Sequence, residues 1–412
     1  MKAELSYSGK PLTGIVQLPA SKSISNRLLM IRKISGFEDI PLRGLSEAKD
    51  TRTLENIFTD FTSSEEIDAG DAGTVMRFMT AYLSATPGSH VIKGSSRMHE
   101  RPIGNLVCVL QEMGANIQYI LKSGYPPMRI EGRRLEGGKI KMDGRVSSQF
   151  ASALMMVGPL MQCGLELEFM HPPVSLSYLK MTAGLMREWG VQVEVEDKRI
   201  MISQGSYKKP VDIIDVEKDW SSASYFYSVV ALSNDGEIFF EGLRKESLQG
   251  DRVCSDLFSA LGVETIFETG GCRIRKSGIA APNFQADFIE CPDIAQTVAV
   301  CCAGLGIPAQ LRGIQTLYVK ETDRVSALCG ELRKLGCGVR SDGNCLYIEP
   351  RQQEAQTRFN FKTYGDHRMA MSLAPLAMKL GVVEIESPRV VEKSFPGFWR
   401  EMGKIGVGIK LQ

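Results

Sequence analysis

Six stretches of the chain change abruptly from small and polar residues to an apolar run of helical length. They are SKSISNRLLMI from Ser21, DAGTVMRFMTAYL from Asp71, SSQFASALMMVGPL from Ser147, DWSSASYFYSVVAL from Asp219, PDIAQTVAVCCAGL from Pro292 and GDHRMAMSLAPLAMKL from Gly365. From the second onward they recur about every 70 to 75 residues, the mark of an internal repeat. Helices so rich in Ala, Met and other small residues bury nearly all round. Between them, alternating segments such as GVQVEVEDKRIMI and NCLYIEP predict strands, and RPIGNLVCVLQEMGANIQYI predicts an exposed amphipathic helix ending near Gly. Each repeat therefore reads as a βαβαββ unit of an α/β protein, and six of them group into two domains of three. The join falls at DIIDVEKDW, Asp212 to Trp220.

The starts of these helices carry more charge than capping requires. In SKSISNR the polar cluster is expected in the first turn, where backbone N–H groups lack partners and Lys22 and Arg27 add cations to the positive end of the dipole. That arrangement costs stability unless an anion binds there. Buried helices running side by side bring such starts together at one end of each domain. Two ends facing each other make an anion-binding cleft. Three further segments concentrate charge: SSRMHERPIG with Arg97 and Arg101, YVKETDRV with Lys320, Glu321, Asp323 and Arg324, and EKSFPGF with Lys393. With Lys22, Arg27 and Arg368 they supply enough ammonium and guanidinium groups to grip two phosphates and a carboxylate. Gly73 and Thr74 allow close backbone approach at another helix start. Asp293 and Glu321, acids set among these cations, are the natural proton carriers. Taken singly, each segment also reads as an ordinary solvated loop.

Composition narrows the partners. A chain of 412 residues exceeds one ordinary core, and 43% hydrophobic with 24% charged residues fits a soluble globular protein. The net charge of +1 leaves no broad nucleic-acid or membrane footprint, so anion recognition is local. Ten cysteines and four histidines show no metal-ligand spacing, and reduced, mostly buried thiols are expected. MKAELSYSGKPLTG lacks the apolar core of a signal peptide, and no apolar stretch is long enough to span a bilayer; a cytoplasmic protein is expected.

SKSISNR, DAGTVMR, RMHERPIG, SSQF, VKETDR, GDHRMAM and KSFP occur in one order across nearly the whole chain. In this the chain resembles the 5-enolpyruvylshikimate-3-phosphate (EPSP) synthase family. The resemblance implies a two-domain inside-out α/β barrel, each domain of three βαβαββ units with buried parallel helices. Residues 20–217 would form one domain, 1–19 with 218–412 the other, and the active site would lie in the cleft between them. It implies transfer of the enolpyruvyl group of phosphoenolpyruvate to the 5-hydroxyl of shikimate 3-phosphate, with release of phosphate through a tetrahedral intermediate. It implies no metal, no organic cofactor and no macromolecular partner; a monomer is expected.

By the same resemblance Ser23 and Arg27 would contact the shikimate moiety, Ser147, Ser148, Ser175 and Lys320 its phosphate, and Gln149 both substrates. Lys22, Arg97, Arg324, Arg368 and Lys393, with the Gly73 backbone, would surround phosphoenolpyruvate. Asp293 would take the 5-hydroxyl proton, while Glu321 and Lys22 would manage protons at the methylene carbon and the hydroxyl. Asp71, Phe78, Thr316 and Tyr318 depart from the usual pattern; an acid at Asp71, next to the phosphoenolpyruvate site, fits a direct contact only if it binds Arg97 or a backbone amide. Two other readings compete. The sister transferase acting on UDP-N-acetylglucosamine typically has Lys-Asn near its N-terminus and a reactive loop cysteine; here the pair is Lys22-Ser23, and SSRMHERPIG has no cysteine. A non-catalytic phosphometabolite-binding protein would gain nothing from Asp293 and Glu321, since acids facing phosphates weaken binding unless they do chemistry.

Overall fold

The computed structural model describes residues 1–61, 65–145, 147–210, 213–351 and 358–412; Asp212, at the expected join, lies outside them. Strands β1 (Lys2–Ser6) and β2 (Leu12–Val16) lead into α1 (Lys22–Ser35), β3 (Leu42–Arg43) and α2 (Lys49–Asp60). A run then follows of β4 (Glu66–Asp68), α3 (Gly73–Ala85), β5 (Gly88–Lys93), α4 (Gly104–Glu112), β6 (Asn116–Tyr119) and β7 (Met128–Gly132). It repeats as β8 (Gly138–Met142), α5 (Ser148–Val157), β9 (Leu165–Phe169), α6 (Leu176–Glu188), β10 (Val193–Val195) and β11 (Arg199–Ile202). After β12 (Ile214–Asp215) come α7 (Trp220–Leu232), β13 (Gly236–Glu241), α8 (Cys254–Ser259), β14 (Val263–Glu268) and β15 (Gly271–Lys276). The next run is β16 (Phe284–Asp287), α9 (Ala295–Leu305), β17 (Ala309–Arg312), α10 (Arg324–Arg333), β18 (Cys337–Ser341) and β19 (Leu346–Arg351). The last is β20 (Phe359–Phe361), α11 (His367–Leu373), α12 (Ala377–Leu380), β21 (Val382–Glu386), α13 (Phe398–Lys404) and β22 (Gly408–Leu411).

One topology recurs in the sheets β4-β5-β7-β6, β8-β9-β11-β10, β2-β13-β15-β14, β16-β17-β19-β18 and β20-β21-β1-β22. In each, the first two strands are parallel and the last two join antiparallel. A parallel pair needs a crossover, and the helix leading into its second strand is the apolar α3, α5, α7, α9 or, with α12, α11; between β2 and β13 the chain also passes through the whole of the other unit before α7. The N-terminal strands fill gaps in distant repeats: β2 begins the α7 unit, and β1 completes the α11 unit. The sixth repeat differs from the expected βαβαββ pattern. Among the described residues it consists of α1 and α2 with the two-stranded parallel sheet β3-β12.

Two compact units result, Met1–Ala20 with Glu217–Gln412, and Ser21–Val216. The chain crosses between them twice. Beside these crossings Ala20 bridges Lys218, and Asp219 N–H donates to the Pro19 carbonyl. In the first unit α7, α9 and α11 pack on one another; in the second α1, α3 and α5 do so. Every residue of α3 and of α7 is buried, so these helices have no solvent face and their stability comes from packing rather than propensity. Among the described residues no helix is long and apolar enough to cross a membrane.

Candidate active site

In the unit that includes 217–412, Arg324 opens α10 behind Asp323, whose side chain accepts from Ser326 N–H and caps the helix. The guanidinium is 1% exposed, yet it faces three carboxylates. Nε lies 2.8 Å from Asp366 Oδ2, Nη2 2.9 Å from Glu321 Oε2 and Nη1 3.4 Å from Asp293 Oδ1. Burial pulls the Arg324 pKa down, but Asp366, Glu321 and Asp293 outweigh it and hold the group above the ordinary arginine range. Asp366, fully buried, also caps α11 by accepting from Arg368 N–H.

Arg368 then reaches back to Asp293. Its Nη2 is 3.0 Å from Oδ2, and Nη1 donates to the Asp293 carbonyl at 3.2 Å and to the Tyr225 hydroxyl at 3.3 Å. Lys320 Nζ stands 3.6 Å from Asp293 Oδ1, and Lys393 Nζ 3.1 Å from Glu321 Oε1. Segments remote in sequence thus deliver Asp293, Lys320, Glu321, Arg324, Arg368 and Lys393 into one network. Behind it the Ser221 hydroxyl donates to the buried Asp251 carboxylate. Burial raises the Asp251 pKa to about 7, with Asp293 adding to the rise and Arg368 opposing it. Burial likewise raises Asp219, the N-cap of α7.

The unit 21–216 presents three smaller groupings. At the start of α1, Lys22 Nζ is 3.2 Å from Asp50 Oδ2 in the first turn of α2. Gln149, which follows Ser148 at the start of α5, accepts from Arg77 Nη1 at 3.1 Å and donates to Thr74 Oγ1 at 3.2 Å. Ser147 caps that helix by accepting from Gln149 N–H at 3.3 Å. Gly73, first residue of α3, lies beneath two guanidiniums; a Cβ there would sit 2.5 Å from Arg101 Nη1 and collide with Arg77. Arg97, exposed, precedes the single turn Met98–Glu100 that leads to Arg101. Ser175 is buried at the N-cap of α6 in left-handed backbone, φ 57°, and its hydroxyl does not cap the helix.

Arg27 corrects the expectation for SKSISNR. Helix α1 begins at Lys22, which places Arg27 in the second turn, and the Ser21 side chain makes no cap bond. The guanidinium enters the packing between helices: Nε donates to Thr182 Oγ1 at 2.7 Å, Nη2 to Ser152 Oγ at 3.0 Å and Nη1 to the Ser23 carbonyl at 2.9 Å. Asp71, beside the start of α3, accepts from the Ser95 hydroxyl. Asp50 and Asp366 were not legible as site residues. Their one signal is position: Asp366 stands directly before a helix, and Asp50 in a first turn. Arg77 was visible as part of DAGTVMR, but its bond to Gln149 was not.

The repeated mixed sheets with their buried crossover helices build a fold shared with solved enolpyruvyl transferases. The structure matches the EPSP synthase of Acinetobacter baumannii with a TM-score of 0.78 over 100% of both chains at 20% identity. It matches the enolpyruvyl transferase NikO of Streptomyces tendae with a TM-score of 0.74 over 99% of this chain and 98% of that one, at 14% identity. Within that class the chain belongs to the EPSP synthase (3-phosphoshikimate 1-carboxyvinyltransferase) family, whose sequence profile matches residues 7–402. A 3-phosphoshikimate 1-carboxyvinyltransferase of Bacteroides fragilis is 44% identical over 398 residues, 96% of each chain. One of Sulfurovum sp. is 34% identical over 419 residues, 96% of this chain and 97% of the relative.

Proposed function

We propose that this protein transfers the enolpyruvyl group of phosphoenolpyruvate to the 5-hydroxyl of shikimate 3-phosphate and releases phosphate. The observation that carries the reading is the pair Asp293 and Glu321, two carboxylates held apart by Arg324 and ringed by Lys320, Arg368 and Lys393. Cations that only bound anions would be better placed without acids among them. In this reading Asp293 takes the proton from the 5-hydroxyl as its oxygen bonds to C2 of phosphoenolpyruvate, and Glu321 with Lys22 delivers a proton to C3. The tetrahedral intermediate then loses a C3 proton, the double bond re-forms, and the C2–O bond to phosphate breaks. Lys22, the Gly73 backbone, Arg97, Gln149, Arg324, Arg368 and Lys393 hold phosphoenolpyruvate. Ser23, Arg27, Ser147, Ser148, Gln149, Ser175 and Lys320 hold shikimate 3-phosphate. No metal or organic cofactor enters the scheme.

The residues assigned to the substrates are drawn from both units, 20–217 and 1–19 with 218–412. A monomer in the cytoplasm is the proposed setting; the ten cysteines are all free thiols, which fits a reducing compartment. Phosphate release from phosphoenolpyruvate, measured with shikimate 3-phosphate, with UDP-N-acetylglucosamine and with neither, tests the reading. Release is expected with shikimate 3-phosphate alone. Release with the UDP-sugar instead would assign the sister reaction, and binding without release would reduce the protein to a phosphometabolite binder.

A further inference from the structure

Arg27 is a buried cation with an unusual set of neighbours. Its guanidinium is 2% exposed, and its hydrogen bonds go to two hydroxyls and a carbonyl, all neutral. Among the described residues no carboxylate pairs with it. An arginine carries five N–H donors in a rigid fork, so a group held this way has its charge uncompensated and donors left for an anion. Burial without a counter-charge is costly, and draws the Arg27 pKa down to about 10. Two aromatic rings offset that cost. The Phe78 ring centroid is 5.5 Å from Arg27 Cζ and that of Tyr178 is 5.7 Å away, both within the range where a ring quadrupole attracts a cation. Phe78 is fully buried, sixth residue of a helix buried along its whole length, so its ring has little freedom to leave. Tyr178 is only part-buried, so Phe78 is the better-fixed of the two.

We propose that Phe78 is a positioning residue for substrate recognition: its ring face holds the Arg27 guanidinium in place, pre-organised for the anionic shikimate moiety. The proposal rests on the assignment of Arg27 to shikimate 3-phosphate. Thr182 and Ser152 fix the fork's direction, while the ring supplies the negative potential that neutral hydroxyls do not. Without that potential the guanidinium gains by turning toward water, the fraction of protein with Arg27 in place falls, and apparent affinity falls with it. Phosphoenolpyruvate, assigned to other cations, is unaffected.

The test replaces Phe78 in the full chain by mono-, di- and trifluorinated phenylalanine, which drains the ring's negative face while nearly keeping its shape. Calorimetric Kd and KM for shikimate 3-phosphate are expected to rise stepwise, to about three- to tenfold with the trifluoro ring. The KM for phosphoenolpyruvate and kcat at saturating shikimate 3-phosphate stay as in the wild type. A ring that serves packing alone would show no graded response, and unchanged shikimate 3-phosphate affinity in the trifluoro protein overturns the proposal. Phe78→Leu gives the same direction with a lowered melting temperature. Arg27→Gln separates the two claims. If it weakens shikimate 3-phosphate binding while fluorination does not, the positioning role fails and the Arg27 assignment stands. If Arg27→Gln leaves binding intact, both fall.

Discussion

Arg324 touches both carboxylates assigned to proton transfer, with Glu321 on one amino group and Asp293 on the other. A fixed guanidinium between them sets their separation. In Glu321→Gln the amide still accepts from Arg324 but carries no charge and no transferable proton. Turnover is therefore expected to fall by about 10²-fold or more, with shikimate 3-phosphate binding nearly intact. Because Glu321 also holds Lys393 at 3.1 Å, the KM for phosphoenolpyruvate shifts as well. Steady-state kinetics with calorimetric binding checks this, and near wild-type turnover would remove Glu321 from the mechanism. Asp251 gives a prediction in pH. Its carboxyl titrates near 4 when unfolded and at about 7 when folded, so between those values the native state keeps a proton the unfolded chain has lost. Stability falls as pH rises through that window and levels off above it. Asp251→Asn should remove this slope, so that its urea midpoint gains on the wild type from pH 4 to 7 and then holds a constant lead; a pH-independent difference would contradict the burial argument. Lys320, Glu321 and Arg324 stood out because VKETDR clusters them locally; Asp293 stood out only as an acid at the start of an apolar helix. Partners distant in sequence did not: Asp50 lies 28 residues from Lys22 and Asp366 lies 42 from Arg324, separations that only the fold closes.

Helix α3 concentrates much of this chemistry in two turns: Gly73, Thr74, Arg77 and Phe78 all project from its first half. Its start has neither a capping side chain nor an acid in the first turn, which leaves its N–H donors open beneath the Arg77 and Arg101 guanidiniums. In Gly73→Ala the new methyl meets the ends of two flexible side chains, not backbone, so the helix forms and the guanidiniums give way. Glyphosate, which competes with phosphoenolpyruvate in this family, is the larger of the two ligands. The wild type is expected to be glyphosate-sensitive unless Phe78, where proline is usual, has already shifted the helix into a tolerant pocket, and Gly73→Ala to raise the glyphosate inhibition constant more than the phosphoenolpyruvate KM. Equal proportional losses would defeat the steric argument. At this scale the sequence is most readable where a helix is apolar all round, because such a helix has to be buried in a core. It is least readable where a strand is borrowed. The parallel partner of β13 is β2 and the strand between β21 and β22 is β1, hundreds of residues away, and periodicity carries no trace of such pairings.

The whole molecule joins two units through two chain crossings, and the proposed ligands of one substrate pair are divided between them. Binding of shikimate 3-phosphate is expected to draw the units together and exclude water from the reacting groups, lowering the radius of gyration in small-angle scattering. An unchanged radius at saturating ligand, starting from an open form, would argue against closure. The account's central claim is addition followed by elimination, with protonation at C3 of phosphoenolpyruvate by the Glu321 side of the network. The most direct measurement runs the reaction with shikimate 3-phosphate in D₂O and follows the product's vinyl methylene by NMR as phosphate appears. The account predicts deuterium in that methylene, since C3 is transiently a methyl group that took its third hydrogen from solvent, and near-complete loss of both signals in Glu321→Gln. Phosphate released with shikimate 3-phosphate while the methylene stays free of deuterium would contradict it.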